Sequence, residues 1–299
     1  MRNFRRRIAF KCAIAAMTGP TPQGARPIQM PARRSLEPLP SAPVEPPTAR
    51  LVGVPISLVD YEQALDWIDS CVDAGERGYV CVCNVHTLMA SAEDPELRTA
   101  LMASSLNVPD GQPLVWALRA LGTPLGDRVY GPELMSRSCE RAARSGQRLY
   151  LYGGRDQGAL VQLALNLRRR HPGLRIVGGY SPPHRELTAE EREAVIGEIN
   201  RSGADVVWVG IGVPKQEKWM AQMRRHLDAP VLVGVGAAFD FHAGLVPQAP
   251  AWMQRSGLEW AYRLSQEPRR LWRRYLRYNP RFVLAFAGQL LARRAAGRR

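Results

Sequence analysis

From Leu51 onward, short runs of β-branched and other apolar residues alternate with longer amphipathic stretches. That alternation constrains the fold more than any other feature of the chain. The runs are Tyr79–Cys83, Arg148–Tyr152, Arg175–Val177, Asp205–Val209 and Val231–Val235. Between them, Tyr61–Val72, Pro132–Arg144, Gln157–Arg170, Ala189–Asn200 and Pro214–Leu227 carry apolar residues at helical spacing. A strand that is apolar on both sides must be covered on both sides, and a helix between successive strands forces them to pair in parallel. The expected fold is therefore α/β: a Rossmann-like parallel sheet with helices on both faces. No internal repeat is evident.

The charge sorts the chain into three parts. The overall +14 is made of +7 in residues 1–50, −3 in the next 201 and +10 in residues 252–299. A near-neutral body of about 200 residues, enough to bury a sizeable core, thus carries two basic ends. We expect residues 1–50 to be a disordered basic extension, 51–250 the α/β domain, and 251–299 a helical appendage. Residues 18–49 are rich in proline and show neither period. The first 17 residues imitate a signal peptide, but Lys11 interrupts the apolar run. No stretch approaches the ~20 apolar residues of a spanning helix.

The basic end has a pattern of its own. On a helix, Arg269, Arg270, Arg273, Arg274 and Arg277 fall within an arc of roughly 140°, opposite Leu271, Trp272, Tyr275, Leu276 and Tyr278. Such a helix suits an anionic lipid interface, or it packs its apolar face on its own domain with the arginines solvated. Phe282–Leu291, apolar on nearly all sides, is too short to cross a bilayer but long enough to lie in its interface. Arginine and aromatic rings with almost no lysine favour a membrane surface over nucleic acid, which we do not expect as a partner.

Several chemistries are poorly matched. The five cysteines, Cys12, Cys71, Cys81, Cys83 and Cys139, have no paired ligand spacing. Cys81 and Cys83 alternate along one strand and are expected to pack as small apolar residues. The five histidines are scattered, no D-x-D occurs, and neither a P-loop nor G-x-G-x-x-G follows any strand.

Strand ends are more telling. Gly153-Gly154, Gly210 with Gly212, and Gly234 with Gly236 each follow an apolar run, and Lys215-Gln216-Glu217 or Asp240 comes next. In open α/β sheets, ligands bind outside the carboxyl ends of strands, where glycine admits a backbone or a phosphate. Three such edges point to a nucleotide or phosphate site. Asn84 and His86 stand at another corner, after Tyr79–Cys83. Asp110, between Pro109 and Gly111, marks a strand-to-helix turn, where a carboxylate serves as a helix cap or as an exposed base. Arg128 is a lone cation before a helix start.

Taken in order, several blocks carry a resemblance. They are Asn84-Val-His, Pro109-Asp-Gly, Arg128-Val-Tyr-Gly-Pro-Glu-Leu, Leu151-Tyr-Gly-Gly and Gly210-Ile-Gly-Val-Pro-Lys-Gln-Glu. Gly234-Val-Gly-Ala-Ala-Phe-Asp, Ala249-Pro-Ala-Trp-Met-Gln-Arg and Gly257-Leu-Glu-Trp-Ala-Tyr-Arg-Leu-Ser-Gln-Glu-Pro-Arg-Arg complete the series. Together they resemble the WecG/TagA/CpsF family of bacterial glycosyltransferases, from about Leu51 to Arg277. The resemblance implies an inverting, metal-independent enzyme without cofactor. Such an enzyme moves a sugar from a UDP-sugar onto a polyprenyl-diphosphate-linked sugar, peripheral on the cytosolic face of the inner membrane, with room for a homo-oligomer.

The resemblance further implies Asp110 as base, Arg128 as phosphate contact, and Gln216 as an active-site polar residue. Asp240 becomes a nucleoside contact and Asn84 a pocket residue, while Arg263, Arg270 and Arg273 belong to a membrane-associating appendage that closes over the site. Gly153, Gly154, Gly212 and Lys215 join the substrate edge. Two departures bear on the substrates. Val82 stands where relatives place threonine, and Asn84-Val-His replaces the commoner Asn-x-Glu, which puts His86 at the acceptor sugar. A Rossmann oxidoreductase would share the sheet but lacks its glycine fingerprint here. A membrane scaffold has no need of Asp110, Arg128 and Gln216 together.

Overall fold

The computed structural model describes residues 43–296. The readings of Cys12, the signal-like start and most of the Pro-rich extension lie outside the described residues. A hairpin comes first, β1 (Thr48–Leu51) and β2 (Val54–Ser57), antiparallel and turning at Val52 and Gly53, both with positive φ. Strand β1 therefore starts within the segment whose proline content reads as linker. Four-residue strands with a central Pro55 carry too little period to be seen in the sequence.

The sheet follows: β3 (Gly78–Cys83), β4 (Leu106–Pro109), β5 (Arg148–Gly153), β6 (Arg175–Tyr180), β7 (Val206–Gly210) and β8 (Val231–Gly234). Its order is β4-β3-β8-β7-β5-β6, and every pairing is parallel. Alternate residues divide the core. Val80, Val82, Trp208 and Val233 point to one face, where α1 (Tyr61–Ala74), α5 (Gly131–Ser145), α6 (Gln157–Arg170) and α9 (Ala238–His242) pack. Tyr79, Cys81, Cys83, Tyr152 and Val209 point to the other. There they meet α2 (Val85–Ser91), α3 (Pro95–Met102), α4 (Gln112–Ala120), α7 (Ala189–Ser202) and α8 (Lys215–Met223). The α/β architecture with helices on both faces is thus what the alternation requires. Cys81 and Cys83 are buried among apolar side chains, and burial raises both thiols well above their usual range.

Helix ends follow local chemistry. Asp60 and Gln63 form a capping box on α1, and Thr188 and Glu191 form one on α7. Both helices end at a left-handed glycine, Gly75 and Gly203.

After the sheet come α10 (Ala251–Arg255), α11 (Glu259–Gln266) and α12 (Pro268–Ala296). Helix α12 turns neither its arginine arc nor its aromatic arc wholly inward: the border between the two arcs packs on the body. Its buried stripe runs through Leu271 and Phe282, with Arg274, Tyr275, Tyr278 and Phe286 half-buried beside them. Trp272 and Leu276 face outward with Arg273 and Arg277. Packing on α2 and the hairpin decides the rotation: Tyr278 meets His86, and Gln289 bonds Val52 N at 2.8 Å and Arg50 O at 2.7 Å. A second apolar ridge is left outside, with Leu276 68%, Leu284 72% and Leu291 65% exposed.

The strand ends are tightly drawn together. Gly153 has φ +136°, and a Cβ on it would lie 2.4 Å from the Gly210 carbonyl oxygen. Gly153→Ala should therefore lower the unfolding free energy by about 1–3 kcal/mol or more, since strained φ and overpacking combine. Urea denaturation followed by circular dichroism measures it.

Candidate active site

Because all six strands are parallel, the loops after β3, β4, β5, β7 and β8 emerge on one edge of the sheet. Asp110 sits there, its N–H donated to Cys83 O at 2.7 Å. It is not the cap of α4: that position is Gly111, which makes no side-chain capping bond. The carboxylate turns instead to the first N–H of α5, Gly131 N, at 3.3 Å. The segment 127–131 closes over it. Val129 N bonds Pro109 O at 2.7 Å, and Asp127 Oδ1 accepts from Arg128 N and Gln112 Nε2.

Arg128 is buried rather than solvated. Its guanidinium lies 4.4 Å from the Tyr130 ring centre, and Nη1 donates to Glu259 Oε2 at 2.6 Å and to the Asp110 carbonyl at 3.4 Å. Nη2 donates to Gln254 Oε1 at 3.2 Å. Gln254 of α10 and Glu259 of α11 thus both hold Arg128 beside the Asp110 loop. Burial pushes the Asp110 carboxyl up to about 6; Arg128 opposes that rise, Glu259 adds to it, and Gly131 N–H and Arg263 oppose it. Arg263, on α11, is half-buried with its Nε buried and unbonded, 5.5 Å from the Phe241 ring.

Gln216 lies fully inside the edge, at the start of α8 after the cis Val213–Pro214 bond. Its Nε2 donates to Glu217 Oε1 at 2.8 Å, while Gln216 Oε1 and Glu217 Oε2 are buried without partners. Gly236 leaves room for this carboxamide: a Cβ there would come within 3.3 Å of Gln216 Oε1. Burial raises Glu217 to about 7.

Asn84 caps α2 through Thr87 N at 3.2 Å, and its Cβ lies beside Gly111. Val82 contributes a methyl group to the floor under Gly131. Gly154 N bonds Gly210 O at 3.0 Å, Gly212 has open space at its Cα, and Lys215 is exposed. Asp240 accepts both Nε and Nη2 of Arg155, at 3.0 and 3.2 Å. His86 is under α12, its ring 5.1 Å from Tyr278, and burial, with Arg274 nearby, lowers it to about 3. Arg273 is exposed on α12, over Trp272; the side chain of Arg270 lies outside the described residues.

Beside Arg128 is a cavity of ≈ 330 Å³ whose lining includes Gln112, Asp127, Gln254 and Arg255. Among the described residues, no group of three or more His, Cys, Asp or Glu could hold a metal ion. Glu259 and Gln254 are not singled out from the sequence, and Glu217 enters it only as a polar neighbour of Gln216. All three lie in the quoted blocks, but a glutamate on an amphipathic helix reads as solvated until its partner is known.

Glu217 generates a measurable consequence. Its folded value, about 7, exceeds the ordinary 4.5, so the folded chain holds the proton longer and loses stability as pH rises from about 4.5 through 7. Glu217→Gln removes that loss. The variant should gain stability relative to the parent between pH 5 and pH 8 in urea denaturation.

A glycosyltransferase reading of these residues meets an independent finding. The model of the glycosyl transferase WecG/TagA/CpsF family matches residues 49–296, from the β1–β2 hairpin to the end of α12. The match covers the whole edge just described and most of the chain, so this protein belongs to the WecG/TagA/CpsF family of glycosyltransferases.

Proposed function

We propose that the chain transfers a hexosyl or N-acetylhexosaminyl group from a UDP-sugar, with inversion, to a sugar on a polyprenyl-diphosphate carrier. The product belongs to exopolysaccharide, capsule or cell-wall polymer synthesis. The observation that carries this reading is Asp110: a carboxylate at the sheet's carboxyl edge, raised to about 6 and faced by arginines from two other elements. A general base works best near the ambient pH. In the proposed step the acceptor hydroxyl oxygen attacks the anomeric carbon, Asp110 takes its proton, and the bond to the β-phosphate oxygen breaks to release UDP.

The leaving diphosphate needs countercharge. Without D-x-D, we assign that role to Arg128 and Arg263, whose fixed guanidinium forks suit phosphate. In this reading no cofactor is required. Gln216 and Asn84 orient the donor, Asp240 meets the nucleoside, and Gly153, Gly154, Gly212 and Lys215 line the approach of the phosphates. His86, Arg270 and Arg273 belong to the acceptor and membrane side.

No helix among the described residues is long and apolar enough to cross a membrane. We place the enzyme peripherally on the cytosolic face of the inner membrane, through the exposed ridge of α12. Leu276, Leu284 and Leu291 enter the interface there while Arg273 and Arg277 meet anionic headgroups, each cation adding about 1 kcal/mol.

Two tests follow. Asp110→Asn should retain UDP binding by calorimetry but lose about 10²–10⁴ in turnover. Turnover is read as UDP release from a panel of UDP-hexoses and UDP-N-acetylhexosamines, with a short-chain polyprenyl-diphosphate sugar and EDTA present. Near-parental turnover would remove Asp110 as base, and abolition of parental activity by EDTA would remove the arginine assignment. Second, Leu284→Glu combined with Leu291→Glu should abolish co-sedimentation with anionic liposomes. Both side chains are exposed, so the circular dichroism should not change.

A further inference from the structure

The ion pair between Arg128 and Glu259 is out of place as a stabilising contact. Only 10% and 13% of the two side chains is exposed, and a pair so buried gains little over apolar residues of the same size, because both charges lose water. Nor is it the sole contact of α11, since the Trp260 ring meets Tyr275 of α12 at 5.8 Å and the Arg263 guanidinium lies 5.5 Å from the Phe241 ring. Its geometry has another effect. The bonds to Glu259, Gln254 and the Asp110 carbonyl engage three of the five guanidinium N–H groups. The planar fork is held across the Asp110 loop, and two N–H groups remain for a ligand oxygen.

We propose that Glu259 is a positioning residue for sugar transfer, reaching from the C-terminal appendage to orient Arg128 over the loop that carries Asp110. The inference rests on the glycosyltransferase reading of the site. It also makes the seating of α11 a condition for catalysis: the cation is supplied by the body and its orientation by the appendage. The charge of Glu259 acts on the base as well. The titratable groups that face Asp110 are Arg128 before α5, Glu259 and Arg263 on α11, Tyr61 on α1, Tyr130, and Cys83 at the end of β3. Among them Glu259 adds to the upward push of burial, while Arg128 and Arg263 oppose it. Losing its charge lowers the pH at which Asp110 gives up its proton.

The test uses full-length protein and the UDP-sugar that the parent turns over fastest, with the same short-chain acceptor. Glu259→Gln keeps the shape and one hydrogen bond to Arg128 but not the charge. Its kcat should fall about tenfold or more, as for a displaced catalytic group, and the acid limb of its kcat/KM profile should move to lower pH. Glu259→Asp keeps the charge on a shorter stem: kcat should fall and the limb should stay. Gln254→Ala should behave as Glu259→Asp does. Liposome co-sedimentation should match the parent in all three.

If Glu259→Gln does not fold, the other two variants decide: parental kcat in both overturns the proposal. A folded Glu259→Gln with parental kcat and an unmoved limb also overturns it. So does a variant faster than the parent, which would make the pair a brake on Arg128. A parent inert with every donor sinks the transfer reading and this one together, whereas an active parent beside unaffected variants sinks this one alone.

Discussion

Burial of a parallel sheet on both faces decides where polar chemistry can occur in this protein. Val80, Val82 and Trp208 fill one face, and Cys81, Cys83 and Val209 the other. A charged group on either face would be stranded among apolar side chains. The carboxyl edge is different. There the strands end, backbone groups need new partners, and the first N–H groups of following helices point outward. Asp110 at Gly131 N and Gln216 against Gly236 both exploit that edge. Polar side chains of the body gather along that line of loops.

Along that line, charge is kept scarce and opposed. Two carboxyls, Asp110 and Glu217, are raised by burial, yet they differ in company. Asp110 has arginines and a helix N-terminus to support its anion. Glu217 has mainly the Gln216 carboxamide, and its second oxygen is unbonded. Burial raises both, and what differs is how much each environment supports the anion.

How much of this was legible in the chain depends on what kind of partner each residue has. Strands such as Tyr79–Cys83 and Val231–Val235 declare themselves, because two-sided burial leaves a continuous apolar run. The β1–β2 hairpin does not, since its strands are four residues long and lie against proline-rich sequence. Asp110 and Arg128 were visible as chemistry at strand corners, but the partner that joins them to α11, Glu259, is 131 residues from Arg128. No local pattern encodes that distance. The rotation of α12 against the body is invisible in the chain for the same reason. A helical wheel sorts arginine from tryptophan, yet contact with His86 and the hairpin turned Tyr278 inward and Trp272 outward.

The pair of bonds from Gln289 to Val52 and Arg50 joins the last helix of the fold to its first strand. Positions far apart in the chain are neighbours in space, and the described architecture is closed on itself. A closed architecture of this kind does not depend on where the polypeptide is opened. Joining α12 to β1 by a short flexible linker and cutting at the exposed turn around His184 and Arg185 would keep each strand between its present neighbours. The permuted chain would present the exposed apolar ridge of α12 and the hairpin as one contiguous segment, which could then be exchanged between relatives as a cassette.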